Sequence, residues 1–226
     1  MAGQMVQFPS NGGTTSGYLS LPASGKGPGV VVIQEWWGLV PHIKDIADRL
    51  AGAGYVALAP DLYHGQSTTA PDQAGKLMMA MRIDQAEKDL RGAVQYLLSH
   101  KAVTVRKVGT VGFCMGGALS LYAASKNLQV GACVVFYGGH PNVRPDLKNL
   151  QAPMLGLYAE KDGFVTPELV RELEKQLKQL GKKADIHIYP GVQHGFFNDT
   201  RKEVYNQAAA DDAWRRVLEF FKPNLK

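Results

Sequence analysis

The strongest constraint on this chain is an alternation. Short runs, most of them apolar without internal polar alternation, are separated by segments of helical period. Residues 29–34 (GVVVIQ), 55–59 (YVALA), 108–112 (VGTVG), 131–137 (GACVVFY), 153–158 (PMLGLY) and 184–189 (ADIHIY) read as strands. A strand that is apolar on both faces suits a parallel sheet buried between two helix layers. Between these runs the spacing predicts helices near 42–53, 71–99, 115–126, 167–180 and 204–221. Thr166 before Pro167 gives a cap and a first helical residue, and Gly181 gives the stop. Residues 4–8 and 14–21 flank Ser-Asn-Gly-Gly and read as an antiparallel hairpin added to the sheet edge. The expectation is an α/β fold, a mostly parallel central sheet with helices on both faces. No linker or repeat interrupts it, so residues 1–226 form one domain.

Composition excludes several classes. The chain is 45% hydrophobic and 20% charged, an ordinary globular profile. Its start, MAGQMVQFPSNGG, lacks the basic and apolar segments of an export signal, so a cytoplasmic location is expected. Apolar runs such as 30–33 and 132–137 are too short to cross a bilayer. The net charge of +5 comes from cations interspersed with acids, as in Arg171-Glu172-Leu173-Glu174-Lys175. That pattern reads as solvated helix faces, not a nucleic-acid surface. Cys114 and Cys133 form no Cys-x-x-Cys, and no Cys/His cluster has zinc spacing. Reduced thiols, no metal, no organic cofactor and a monomer are expected.

In open α/β sheets, ligands bind beyond the carboxyl ends of the strands, so the residues there carry the functional argument. Gly112-Phe113-Cys114-Met115-Gly116 follows an apolar run directly and precedes a helical one. This is the nucleophile-elbow pattern of the α/β-hydrolase fold, with Cys where Ser usually stands. The turn needs small residues two before and two after the nucleophile. Its position at a helix N-terminus favours a thiolate and a developing oxyanion. The competing reading is a buried cysteine in a glycine-rich packing turn.

A nucleophile needs a base and a group that orients it, in the chain order nucleophile, acid, histidine. Asp162 follows the strand PMLGLY, and His194 follows ADIHIY, each in a loop past a strand end. Glu160 is the rival acid, but it stands closer to its strand. His187 lies within a strand and reads as a face histidine, and Asp199 reads as serving its local turn. His42, His64, His100 and His140 show no partner pattern.

With these residues assembled, the chain resembles the dienelactone hydrolase (carboxymethylenebutenolidase) family over nearly its whole length. The resemblance rests on Gln34-Glu35-Trp36-Trp37-Gly38-Leu39, Ala59-Pro60-Asp61-Leu62-Tyr63, the Cys114 elbow, the Asp162 loop and His194-Gly195-Phe196. It implies a cysteine-dependent hydrolase of lactone or carboxylic ester bonds acting on a small molecule. It also implies that Glu35 controls the ionisation of Cys114, and that the backbone N–H groups of Met115 and Trp36 form the oxyanion hole. Characterised members hold a substrate carboxylate with two arginines; the matching positions here are Asn198 and the neighbourhood of Pro71. Arg82 and Arg201 are the nearby cations in sequence. Trp37, Tyr63, Met78, Tyr137 and Phe196 are further pocket candidates, as are Met79, Phe136 and Phe197, with core packing as the alternative. Two other functions fit the same residues: a redox-active thiol with Cys133 as its resolving partner, and a general carboxylesterase or thioesterase.

Overall fold

A computed structural model describes residues 3–10 and 12–226. Met1, Ala2 and Asn11, the last in the turn of the expected hairpin, lie outside the described residues. The strands are β1 (Gln4–Ser10), β2 (Gly13–Ser20), β3 (Gly29–Ile33), β4 (Val56–Pro60), β5 (Val108–Phe113), β6 (Val130–Phe136), β7 (Met154–Ala159) and β8 (Ala184–Tyr189). The helices are α1 (Pro41–Gly52), α2 (Pro71–Ala80), α3 (Ile83–Ser99), α4 (Met115–Lys126), α5 (Pro167–Gln179) and α6 (Gln207–Asn224). One sheet runs in the order β1-β2-β4-β3-β5-β6-β7-β8. The β1–β2 hairpin is the antiparallel edge, and every pairing from β4 to β8 is parallel.

Side-chain direction explains the unbroken apolar strands, because successive Cβ atoms point to opposite faces. In β3, Val31 and Ile33 join a core with Leu90 and Val94 of α3 and Leu119 of α4. Val30 and Val32 join the opposite core, with Ile43 and Ile46 of α1 and Val217 and Phe221 of α6. Each such side chain contributes roughly 1.5–3 kcal/mol when fully buried, so neither face of β3 tolerates a polar residue.

α4 occupies the expected span, and α5 opens on Thr166, whose Oγ1 accepts the N–H of Leu169. The single helix expected over 71–99 is instead α2 and α3, separated by Met81 and Arg82 in extended backbone. Leu77, Met78 and Ile83 pack on the same core on either side of the break. The break shifts the phase of the apolar face, because positions 74, 77, 78 and 81 are out of helical register with 83, 86 and 90. The helix expected from 204 begins at Gln207, because the Asn206 side chain caps it by accepting Ala209 N–H at 3.0 Å. No helix among the described residues is long and apolar enough to cross a membrane.

The strand order places the ligand-binding crevice. From β3 the chain moves to β4 on one side, then returns to β5 on the other. The segments leaving β3 and β5 therefore diverge and open a cleft at their carboxyl ends. Glu35 and Trp36 leave β3 into that cleft, and Cys114 leaves β5.

Candidate active site

Cys114 has φ 54° and ψ −121°, a backbone conformation that side-chain-bearing residues rarely adopt. Its surroundings enforce it. A Cβ on Gly112 would lie 1.9 Å from the Gly116 carbonyl oxygen, and one on Gly116 would lie 2.4 Å from the oxygens of Ile33 and Gln34. Only glycine allows strand and helix to approach this closely. The Cys114 N–H donates to the Phe136 carbonyl at 3.0 Å, and the Cys114 carbonyl accepts from Gly117 at 2.9 Å and Gly139 at 3.3 Å. The elbow thus holds its side chain partly exposed at the head of α4. Among the described residues, the N–H groups of Met115 and Trp36 have no hydrogen-bond acceptor in the protein. Met115 itself is fully buried, so only its backbone is available there.

Asp162 and His194 meet from the loops after β7 and β8. His194 Nδ1 lies 2.6 Å from Asp162 Oδ2; a carboxylate only accepts, so Nδ1 donates and Nε2 is left for exchange with another group. Asp162 Oδ1 accepts the N–H groups of Phe164 at 2.8 Å and Val165 at 3.0 Å, so the loop winds around the buried carboxylate. Burial alone would raise the Asp162 pKa; the hydrogen bond and charge of His194, with those two N–H groups, lower it instead. For His194, burial alone would depress the imidazole. Hydrogen bonding to Asp162, then interaction with the Cys114 side chain, overrules it and pushes the pKa up to about 10. The imidazole also packs against the rings of Tyr137 and Phe164.

Glu35 is buried and held by neutral donors. Asn198 Nδ2 donates to its Oε2 at 2.7 Å, and the Tyr137 hydroxyl donates to its Oε1 at 3.4 Å. The Asn198 amide cannot turn round, because its Oδ1 accepts the N–H and hydroxyl of Thr200 at 3.1 and 2.6 Å. Burial, reinforced by the Glu35 charge, raises the Tyr137 pKa well above its ordinary value, so this phenol remains a donor.

A cavity of about 780 Å³ joins these groups; Cys114, His194, Glu35, Trp36, Trp37 and Asn198 line it, as do Met78 and Arg201. The Arg201 guanidinium lies over the Trp37 ring at 5.4 Å and is paired with Glu203 at 2.7 Å. Other expected pocket residues lie elsewhere. Arg82 is exposed and paired with Asp84 at 2.8 Å, outside the cavity. Phe196 belongs wholly to the core, as do Phe136 and Phe197. Tyr63 is buried behind the elbow with its hydroxyl 3.3 Å from Met115 Sδ. Tyr137 also stands behind the cavity wall, acting on Glu35, and Met79 is exposed. Asp199 does more than serve its turn: it binds Arg49 of α1 and lies 3.4 Å from His42 Nδ1. Glu160 is occupied by the Gly191 N–H at 2.8 Å.

Lining residues not foreseen include Lys161, Phe164, Leu169 and Leu173. A signal existed in α5. Its apolar residues Val170 and Leu177 satisfy the core, leaving Leu169 as an apolar residue beyond what packing requires.

The fold is that of an α/β-hydrolase, with an elbow cysteine and a histidine lining one cavity and an acid paired with the histidine behind it. Residues 15–225 match the Dienelactone hydrolase family, and the chain belongs to that family, whose enzymes act on ester bonds. It is 41% identical to "Protein usf" of Aquifex pyrophilus, covering 99% of each chain. It is 38% identical to the "Putative carboxymethylenebutenolidase" of Aquifex aeolicus, covering 99% of this chain and 100% of that one. Among solved structures, the "Putative Dienelactone Hydrolase" of Klebsiella pneumoniae superposes with a TM-score of 0.87 at 30% identity, covering 98% of this chain and 99% of that one.

Proposed function

We propose that this protein is a thiol-dependent hydrolase of small carboxylic esters and lactones. Cys114 is the nucleophile, His194 its base and later its acid, and Asp162 the group that orients the imidazole. The observation that carries this reading is the 2.6 Å contact between His194 Nδ1 and Asp162 Oδ2 beside an elbow cysteine in one cavity. Cys114 Sγ attacks the acyl carbon while His194 Nε2 holds the proton. The carbonyl π pair moves to oxygen, where the unpaired N–H groups of Met115 and Trp36 are the donors. Collapse of this intermediate breaks the ester C–O bond, the leaving oxygen takes the proton from His194, and a thioester remains. Water then attacks the thioester, giving its proton to His194, and the acid departs as the thiol is restored. Glu35 is the group that takes part in controlling Cys114 ionisation, the role implied by the family resemblance. No redox partnership is favoured, because Cys133 is fully buried and burial pushes its thiol up to about 11.

Hydrolysis of p-nitrophenyl acetate and of a dienelactone by wild type, Cys114→Ala and His194→Ala tests the reading. Wild type is expected to turn over at least one ester, and each variant to lose a factor of about 10³ or more. Wild type inert toward both, or variants with full activity, would contradict it.

A further inference from the structure

Asn198 has its amide fixed between Glu35 and Thr200, and beside the Glu35 carboxylate it brings no positive charge to an anionic substrate. Arg201 faces the cavity, but Glu203 already neutralises it at 2.7 Å and its guanidinium lies on Trp37. Lys161 is exposed and stands at the solvent edge of the lining. The buried acidic side chain in the cavity lining is Glu35, whose carboxylate repels a second anion. His140, also in the lining, is occupied at both ring nitrogens by Met78 and Asn142, and Gln193 is exposed, so no unpaired cation among the lining residues is buried to receive a carboxylate.

The wall beside His194 has the opposite character. Phe164 is 81% exposed and Leu169 58% exposed, so neither is there to fill the core. Both line the cavity together with Leu173, one helical turn beyond Leu169 on α5. Phe164 also packs edge-on against His194, with ring centres 5.8 Å apart. In ester cleavage the leaving oxygen must reach His194, because it takes its proton there. Whatever continues beyond that oxygen then meets Phe164 and α5.

We propose that the substrate is an uncharged ester with an extended apolar alcohol portion, which lies along Phe164, Leu169 and Leu173. This rests on the thiol-hydrolase reading above and adds the substrate class and its orientation. The alcohol, not the acyl group, is the part selected by chain length, and removing apolar surface from this wall weakens the selection.

A series of acetate esters separates the two ideas, since all of them form the same acetyl-enzyme. Ethyl, butyl and hexyl acetate are compared by acid release in a pH-stat, with 6-acetoxyhexanoate as the anionic partner of hexyl acetate and p-nitrophenyl acetate as the control. The expected kcat/KM rises about two- to fourfold per methylene, the increment for carrying a CH₂ out of water. Hexyl acetate is expected to exceed 6-acetoxyhexanoate by about tenfold or more. Phe164→Ala and Leu169→Ser, both at exposed positions, reduce the hexyl-to-ethyl ratio. A flat series, an unchanged ratio in both variants, or an anionic ester as good as hexyl acetate overturns the proposal. If wild type fails on p-nitrophenyl acetate and on a dienelactone alike, or Cys114→Ala retains the activity, the hydrolase reading itself is overturned and the substrate class falls with it.

Discussion

The elbow after β5 and the wall along α5 border the same cavity but are made in different ways. At the elbow, position is set by backbone. Gly112 and Gly116 bring main chains to distances no side chain allows, and Cys114 is bonded through its backbone to Phe136, Gly117 and Gly139. Along α5 and the loop before it, the cavity is lined by Leu169 and Phe164, exposed side chains that belong to neither core cluster. The groups proposed to react are thus fixed by the backbone of the fold, and the proposed substrate wall is made of side chains that can vary. A family built this way keeps one chemistry while its substrates diverge.

The sharpest way to break this contrast is at the histidine. Asp162→Asn is expected to lower kcat by about 10⁴, as for loss of the orienting carboxylate in a triad; steady-state kinetics with p-nitrophenyl acetate would show it. The same variant has a pH signature. The folded His194 pKa is raised from 6.5 to about 10, so the stability it contributes is full below pH 6.5 and fades as pH rises toward 10. Asp162, lowered from 3.8, contributes above that pH and loses its contribution as pH falls below it. The Tm difference between wild type and Asp162→Asn should therefore be greatest near pH 5–6 and shrink toward pH 10.

Next in size is the elbow backbone. Gly116→Val puts carbons 2.4 Å from two main-chain oxygens that cannot rotate away. A loss of about 3 kcal/mol or more in urea unfolding is expected, or no folded protein at all. Asn198→Ala follows. It removes the 2.7 Å donor to buried Glu35 and is expected to cost about 1–3 kcal/mol in the same assay. Smallest is Leu169→Ser, expected to stay within about 0.5 kcal/mol of wild type. A stability loss at Leu169 as large as at Gly116 would erase the distinction between frame and wall.

Much of the frame was legible in the sequence for the same reason that it is rigid. Glycines at two residues either side of Cys114 have one physical use, and unbroken apolar strands have one environment. His194 and Asp162 could be placed because each follows a strand at the functional edge. Side-chain partners were less legible. Tyr137 stands one residue past β6, where aromatic character suggested pocket; only the structure shows its hydroxyl turned to Glu35. Arg82 lies in a two-residue break between α2 and α3 that no proline or glycine announces, only a shift in the phase of the apolar positions, and the break leaves it in solvent beside Asp84. Asp199 binds Arg49, 150 positions away, a partnership that no local pattern reveals.

The central claim is that the reaction passes through a covalent bond to Cys114, and intact-protein mass spectrometry after acid quench tests it directly. Mixed with excess p-nitrophenyl acetate and stopped during turnover, the enzyme should carry one acetyl group, mapped by peptide analysis to Cys114 and cleaved by hydroxylamine. His194→Ala should accumulate it more slowly, and Cys114→Ala should not carry it at all. Turnover with no adduct above background, or an acetyl group on another residue that remains in Cys114→Ala, would contradict the account.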